Sequence, residues 1–120
     1  MAISYFIRLR EIVDLETGNI ERRGKRTDNC VLSFRPGGQL EIHYTERDSV
    51  RTTSKCRKVY DKYDRWPGGY TEHFIVVRTQ NSEYRFEQAC TRSDYDDELF
   101  NALADQLANK LATALCTHAK

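Results

Sequence analysis

At 120 residues, with 39% apolar and 31% charged residues, the chain has the size of one domain and enough apolar residues for its own core. A net charge of +1 excludes a domain that is basic throughout, so any polyanion site has to be local. Two prolines, six glycines and no low-complexity run argue against long disordered segments, and no stretch nears the roughly 20 apolar residues of a membrane span.

The charge is uneven along the chain. Residues 1–66 carry 14 Lys/Arg against 10 Asp/Glu, a surplus of +4, and residues 67–120 carry 5 against 8, a deficit of −3. Arg8 and Arg10 come too early for the apolar core of a signal peptide. Cys30, Cys56, Cys90 and Cys116 are far apart and form no C-x-x-C pair, which predicts reduced thiols in a cytoplasmic protein.

The first predicted element is a strand. Ile3, Tyr5, Ile7, Leu9 and Val13 alternate with more polar positions, a period of two with one buried face. "DLETGN" ends it with turn formers, and "IERRGKRTDN" has no apolar period, so it reads as a loop. "CVLSF" and "QLEIHY" follow as short strands, the second with Leu40, Ile42 and Tyr44 on one face. "VRTTSKCRKVY" reads as a long strand with a polar outer face. "YTEHFIVVRT" is apolar on both faces from Phe74 to Val77, so it is a central strand. "EYRFEQA" alternates again after a turn at "QNS".

From Ser93 the period changes to that of a helix. Ser93 suits the N-cap, and Asp94, Asp96, Asp97 and Glu98 suit the positive end of the dipole. Leu99, Leu103, Leu107, Leu111 and Leu115 recur every four residues. Each step of four overshoots a full turn by about 40°, so the stripe wanders about 160°. An arc that wide needs a deep groove, or an edge that meets a partner. These elements predict an α+β domain over residues 1–120. A six- to seven-stranded antiparallel curved sheet, or a partly open small barrel, spans roughly 2–89 and is closed by one C-terminal helix over roughly 94–116.

"RPGGQLE" and "RWPGGYTE" share a turn device rather than a repeat. Proline pre-sets φ and glycine accepts φ > 0, so each reads as a three-residue hairpin loop: a type I turn over Pro-Gly, then a left-handed glycine. Around the second turn Tyr60, Tyr63, Arg65, Trp66 and Tyr70 crowd together, the composition of adaptable binding loops. Alternation places Tyr60 and Trp66 on one face and Tyr63 on the other.

The basic residues suggest a second surface. Arg22, Arg23, Lys25 and Arg26 surround a glycine, a pattern able to hold a phosphate or a nucleic-acid backbone. Arg51, Lys55 and Arg57 extend it if they share one face of the following strand. Arg22 and Arg26 have the R-x-x-x-R spacing of PilZ-type cyclic-dinucleotide receptors, but the D/N-x-S-x-x-G stretch of that family is missing. Pleckstrin-homology-like domains are similar in element order only. No metal or cofactor site is expected, because His43 and His73 have no cysteine or carboxylate at ligand spacing. No G-x-S-x-G, H-E-x-x-H or phosphate loop is present, which weighs against an enzyme.

The leading expectation is a small soluble non-enzymatic module that acts by protein–protein interaction through the aromatic hairpin. Such a module serves as an adaptor, a chaperone-like partner or an inhibitor of a larger machine. The helix edge is a candidate homodimer contact. The alternative is an anion-binding module for nucleic acid or a phosphorylated ligand through the basic loop, and the third reading is an enzyme of unknown type.

Overall fold

The computed structural model describes residues 7–25, 27–65, 67–69, 71–89 and 97–118. The strands are β1 (Ile7–Asp14), β2 (Ile20–Arg23), β3 (Asn29–Phe34), β4 (Gln39–Tyr44), β5 (Ser49–Arg65), β6 (Thr71–Thr79) and β7 (Ser82–Gln88), followed by the helix α1 (Asp97–His118). The expected strand start at residues 2–6 and the Ser93 cap lie outside the described residues. All pairings are antiparallel in the order β2-β1-β3-β4-β5-β6-β7, and β1 also pairs with β7, so the sheet closes into a ring. The domain is α+β.

β1 carries the closure because both its edges are used. One edge runs along β7 from Ile7 opposite Gln88 to Asp14 opposite Ser82. The other edge meets β3 at Ile7 and Arg8, then passes to β2 at Glu11 to Val13. The expected loop at residues 20–29 therefore contains a strand. β2 buries no residue, so it has no apolar period to betray it; free backbone groups on β1 recruit it instead. Gly24 sits at this handover. Its amide donates to Arg10 O at 2.7 Å, and a Cβ there would stand 1.7 Å from Leu9 O. Only glycine lets the backbone pass so close. Register shifts in β1 also put Ile12, not the expected Val13, into the core at 0% exposure.

The inner face of the ring joins Ile7, Leu9, Cys30, Leu32, Leu40, Ile42, Val59, Ile75, Val77 and Phe86 into one cluster. β6 is central as expected, with Phe74 to Val77 buried on both faces and the Arg10 guanidinium 5.4 Å from the Phe74 ring. α1 packs against β3, β5 and β6 with Phe100, Leu103, Ala104, Leu107, Leu111 and Ala114 buried. The broad apolar arc is met by a groove. The long β5–β6 wall lies on one side, and the β3–β4 turn lies near the C-terminal turns, where Gly37 N donates to Ala114 O at 3.1 Å.

That turn differs from expectation. Gly38 N donates to Arg35 O at 2.9 Å, and Gly37 already has φ +102°, which makes the turn over Pro36-Gly37 type II rather than type I. Gly38 also faces the helix: a Cβ there would lie 2.7 Å from Leu115 Cδ2.

β5 contains two irregularities, one between the pairs Glu41–Thr52 and Gln39–Lys55 and one between Cys56 and Lys58. They break the expected common face of Arg51, Lys55 and Arg57. Arg51 pairs with buried Ile42 and faces inward, Lys55 pairs with Gln39 on the outer side, and exposed Arg57 falls in the second irregularity.

Leu107→Ala should lower unfolding free energy by about 2–5 kcal/mol in chemical denaturation. Gly24→Ala should lower it by about 1–3 kcal/mol or more through overpacking against β1, although it adds only one methyl group.

Candidate functional site

One end of the ring gathers positive charge around a buried carboxylate. Asp28 is 0% exposed and follows directly after the loop that Gly24 folds onto β1. It accepts the Lys25 amide at 2.9 Å and Arg47 Nη1 at 2.7 Å, and Arg22 Nη2 stands at 3.7 Å. The Arg47 guanidinium lies 3.9 Å from the centre of the Tyr44 ring, and Arg51 lies 5.9 Å from that of Tyr84. Arg22, Arg51 and Arg47 all act electrostatically on the Tyr44 hydroxyl, together with Asp28.

Three elements position these side chains. Arg22 is carried by β2 opposite inward-facing Ile12, Arg51 by the start of β5, and Arg47 by the turn between β4 and β5. The group thus contains three guanidiniums, of which Arg22 and Arg47 are held by the one buried carboxylate. Glu46, on the same turn as Arg47, is engaged by Asn29 Nδ2 at 2.6 Å. Arg22 Nε is buried without a hydrogen-bond partner among the described residues. Burial works to raise the Asp28 carboxyl, but the Lys25 amide, Arg47 and Arg22 outweigh it and hold the group below its ordinary value. Burial foremost pushes the Tyr44 hydroxyl up.

Of the predicted basic residues, the structure unites Arg22 and Arg51. Arg23, Lys25, Lys55 and Arg57 are exposed and outside this group, and Arg26 lies outside the described residues. Arg47 was missed by sequence reasoning because it sits among Glu46 and Asp48 in a turn, where a charge reads as solvated. The faint signal was the buried Asp28 across the hairpin, and only pairing reveals it.

Tyr60 and Tyr63 fall on opposite faces of β5, as alternation implies. Tyr60 is half-buried, donates to Glu83 Oε1 at 3.4 Å and has Lys58 Nζ 5.0 Å from its ring centre. Tyr63 is 46% exposed but stacks on the His73 ring at 4.1 Å and donates to Asp97 Oδ2 at 2.7 Å. Arg65 is exposed. Trp66 and Tyr70 lie outside the described residues.

His73 and His43 are the groups with catalytic character. His73 is buried, with Nε2 3.1 Å from Asp61 and Nδ1 2.8 Å from Asp97, and Phe100 meets its ring edge-on at 5.0 Å. The first turn of α1 is thereby tied to β5 and β6, with both ring nitrogens engaged and the ring shielded from substrate. His43 Nε2 lies 3.1 Å from Ser33 Oγ and 3.6 Å from Glu41. The hydroxyl and the carboxylate meet the same nitrogen, whereas a nucleophile–base–carboxylate relay needs one on each. Among the described residues no cluster of three His, Cys, Asp or Glu fits a metal ion.

No protein-family model matches the chain, and no similar curated protein or solved structure was found.

Tyr63→Phe should keep the stack on His73 and cost no more than about 0.5–1 kcal/mol, because the hydroxyl pair is half in water. His73→Ala should cost distinctly more in the same denaturation assay. Because Asp28 is held below its ordinary value of 3.8, its contribution is present at neutral pH and lost as pH falls below that value. Asp28→Asn should therefore give a less stable protein with a shallower acid limb of stability against pH.

Proposed function

We propose that this protein is a small non-enzymatic binding module whose ligand is anionic, held at the end of the ring by Arg22, Arg47 and Arg51. The observation that carries this reading is the gathering of Arg22 and Arg47 on one buried carboxylate, with Arg51 close enough to act with them on Tyr44 and with Arg22 Nε buried and lacking a hydrogen-bond partner among the described residues. Guanidinium groups present forked donors that match phosphate oxygens, and a partly desolvated cluster binds such groups better than scattered surface charges do. Tyr44 and Tyr84 brace Arg47 and Arg51 from below, so the donors are held in place before a ligand arrives. A cytoplasmic setting suits the unpaired Cys30, Cys56 and Cys116.

A second reading, protein–protein contact through Tyr60, Tyr63, Arg65, Trp66 and Tyr70, keeps one support. Tyr63 and Arg65 are exposed on the arm of the β5–β6 hairpin, beside a turn whose Gly68 and Gly69 have nothing within 4 Å of an added Cβ.

Inorganic pyrophosphate titrated calorimetrically at low salt should bind the wild type. Arg51→Ala should weaken that binding at least tenfold without unfolding the protein, because Arg51 takes no part in the Asp28 clamp. Equal binding by wild type and Arg51→Ala, or no binding by either, would overturn the anion reading.

A further inference from the structure

The outer surface of the ring is divided in its charge. On β1, β6 and β7 the cations are neutralised across strands: Arg8 by Glu87 at 2.7 Å, Arg10 by Glu72 at 2.9 Å, Arg85 by Glu11 at 2.8 Å and Arg78 by Glu83 at 3.3 Å. The first half of β5 is different. From Ser49 to Tyr60 it carries exposed Lys55, Arg57 and Lys58, with Arg51 turned inward at the end of the ring, and no acidic residue. Lys55, Arg57 and Lys58 are exposed and have no ion pair among the described residues, and Thr52 and Ser54 add exposed hydroxyls. Gln39 lies opposite Lys55 and another cation, Arg78, lies opposite Lys58. Glu41, opposite Thr52, is an acidic neighbour in the pairing register, and its carboxylate stands 3.9 Å from Arg35 and 3.6 Å from His43 rather than on a cation of the strip.

We infer that this strip is a track for a linear polyanion, single-stranded nucleic acid, with one phosphate at the arginine cluster and the following ones along Lys55, Arg57 and Lys58. The inference rests on the anion reading and specifies its ligand. Arg51 belongs to both features, since it starts β5 and faces into the cluster. At about 3.3 Å per residue, the positions from Arg51 to Lys58 span about 20 Å, more than one compact anion covers. A phosphodiester chain needs only cations and hydrogen-bond donors at intervals, which is what the strip offers. An acidic protein would draw its affinity from several buried aromatic or apolar anchors, and positions 51–58 expose none, with one apolar side chain, Val50, exposed beside them. Tyr60, half-buried beneath Lys58, supplies an aromatic ring at the far end of the track.

The test is fluorescence anisotropy with a labelled dodecathymidylate across a salt series, alongside the pyrophosphate titration. Four phosphate contacts predict a slope of log K against log salt of about −3 for the wild type. The triple variant Lys55→Ala, Arg57→Ala, Lys58→Ala alters exposed side chains only and should keep the wild-type circular dichroism. Its slope should flatten by about 2, its oligonucleotide affinity should fall, and its pyrophosphate binding should not change. An unchanged slope, or polyglutamate competing as well as the oligonucleotide, would overturn the track and leave the anion reading standing. Failure of wild type to bind either probe would remove both.

Discussion

Pairing of β1 with β7 is the contact on which the rest of the structure depends. An open seven-stranded sheet would leave two rows of unpaired backbone groups. Here β7 and β1 satisfy each other along seven aligned positions, and the other edge of β1 is shared between β3 and β2. Closure has a geometric consequence. The inner side chains converge, and the short β3–β4 hairpin cannot cover the interior that the long β5–β6 hairpin opens. α1 fills that space, which is why its buried residues spread over a wider arc than one sheet face requires.

Closure also sets where charge collects. Strands that run side by side on the outer face of β1, β6 and β7 bring Arg and Glu into register, and cross-strand pairs neutralise them. At the end of the ring the inward-facing positions run out of apolar residues, and Arg22, Arg51 and Asp28 occupy them. A buried carboxylate is tolerable only when paired and hydrogen-bonded, and Asp28 satisfies this with an amide and two arginines. The same device holds those arginines at a fixed place on the surface.

His73 solves the corresponding problem at the helix. The first turn of α1 brings Asp97 to a wall that contributes Asp61, and an imidazole between two carboxylates, covered by Tyr63 and Phe100, joins them. A residue type often associated with catalysis serves here as a joint, because its burial leaves neither nitrogen open to solvent.

Local pattern was enough to determine the strands other than β2, the change of period near the helix, the centrality of β6 and the burial of Leu107. Each depends on side-chain periodicity, which burial of one face imposes on the sequence itself. β2 was illegible because a strand with no buried face has no such period. Ile12, Arg51 and Lys55 were misplaced because single extra residues shift a period-two pattern by half its length, and nothing local announces them. The basic and aromatic clusters were visible as composition, yet their division was not. Arg47 joins Arg22 and Arg51 only once β2, β5 and the β4–β5 turn meet, and Tyr63 reaches Asp97 only once α1 arrives. Those contacts link residues far apart in the chain, so tertiary pairing alone decided them.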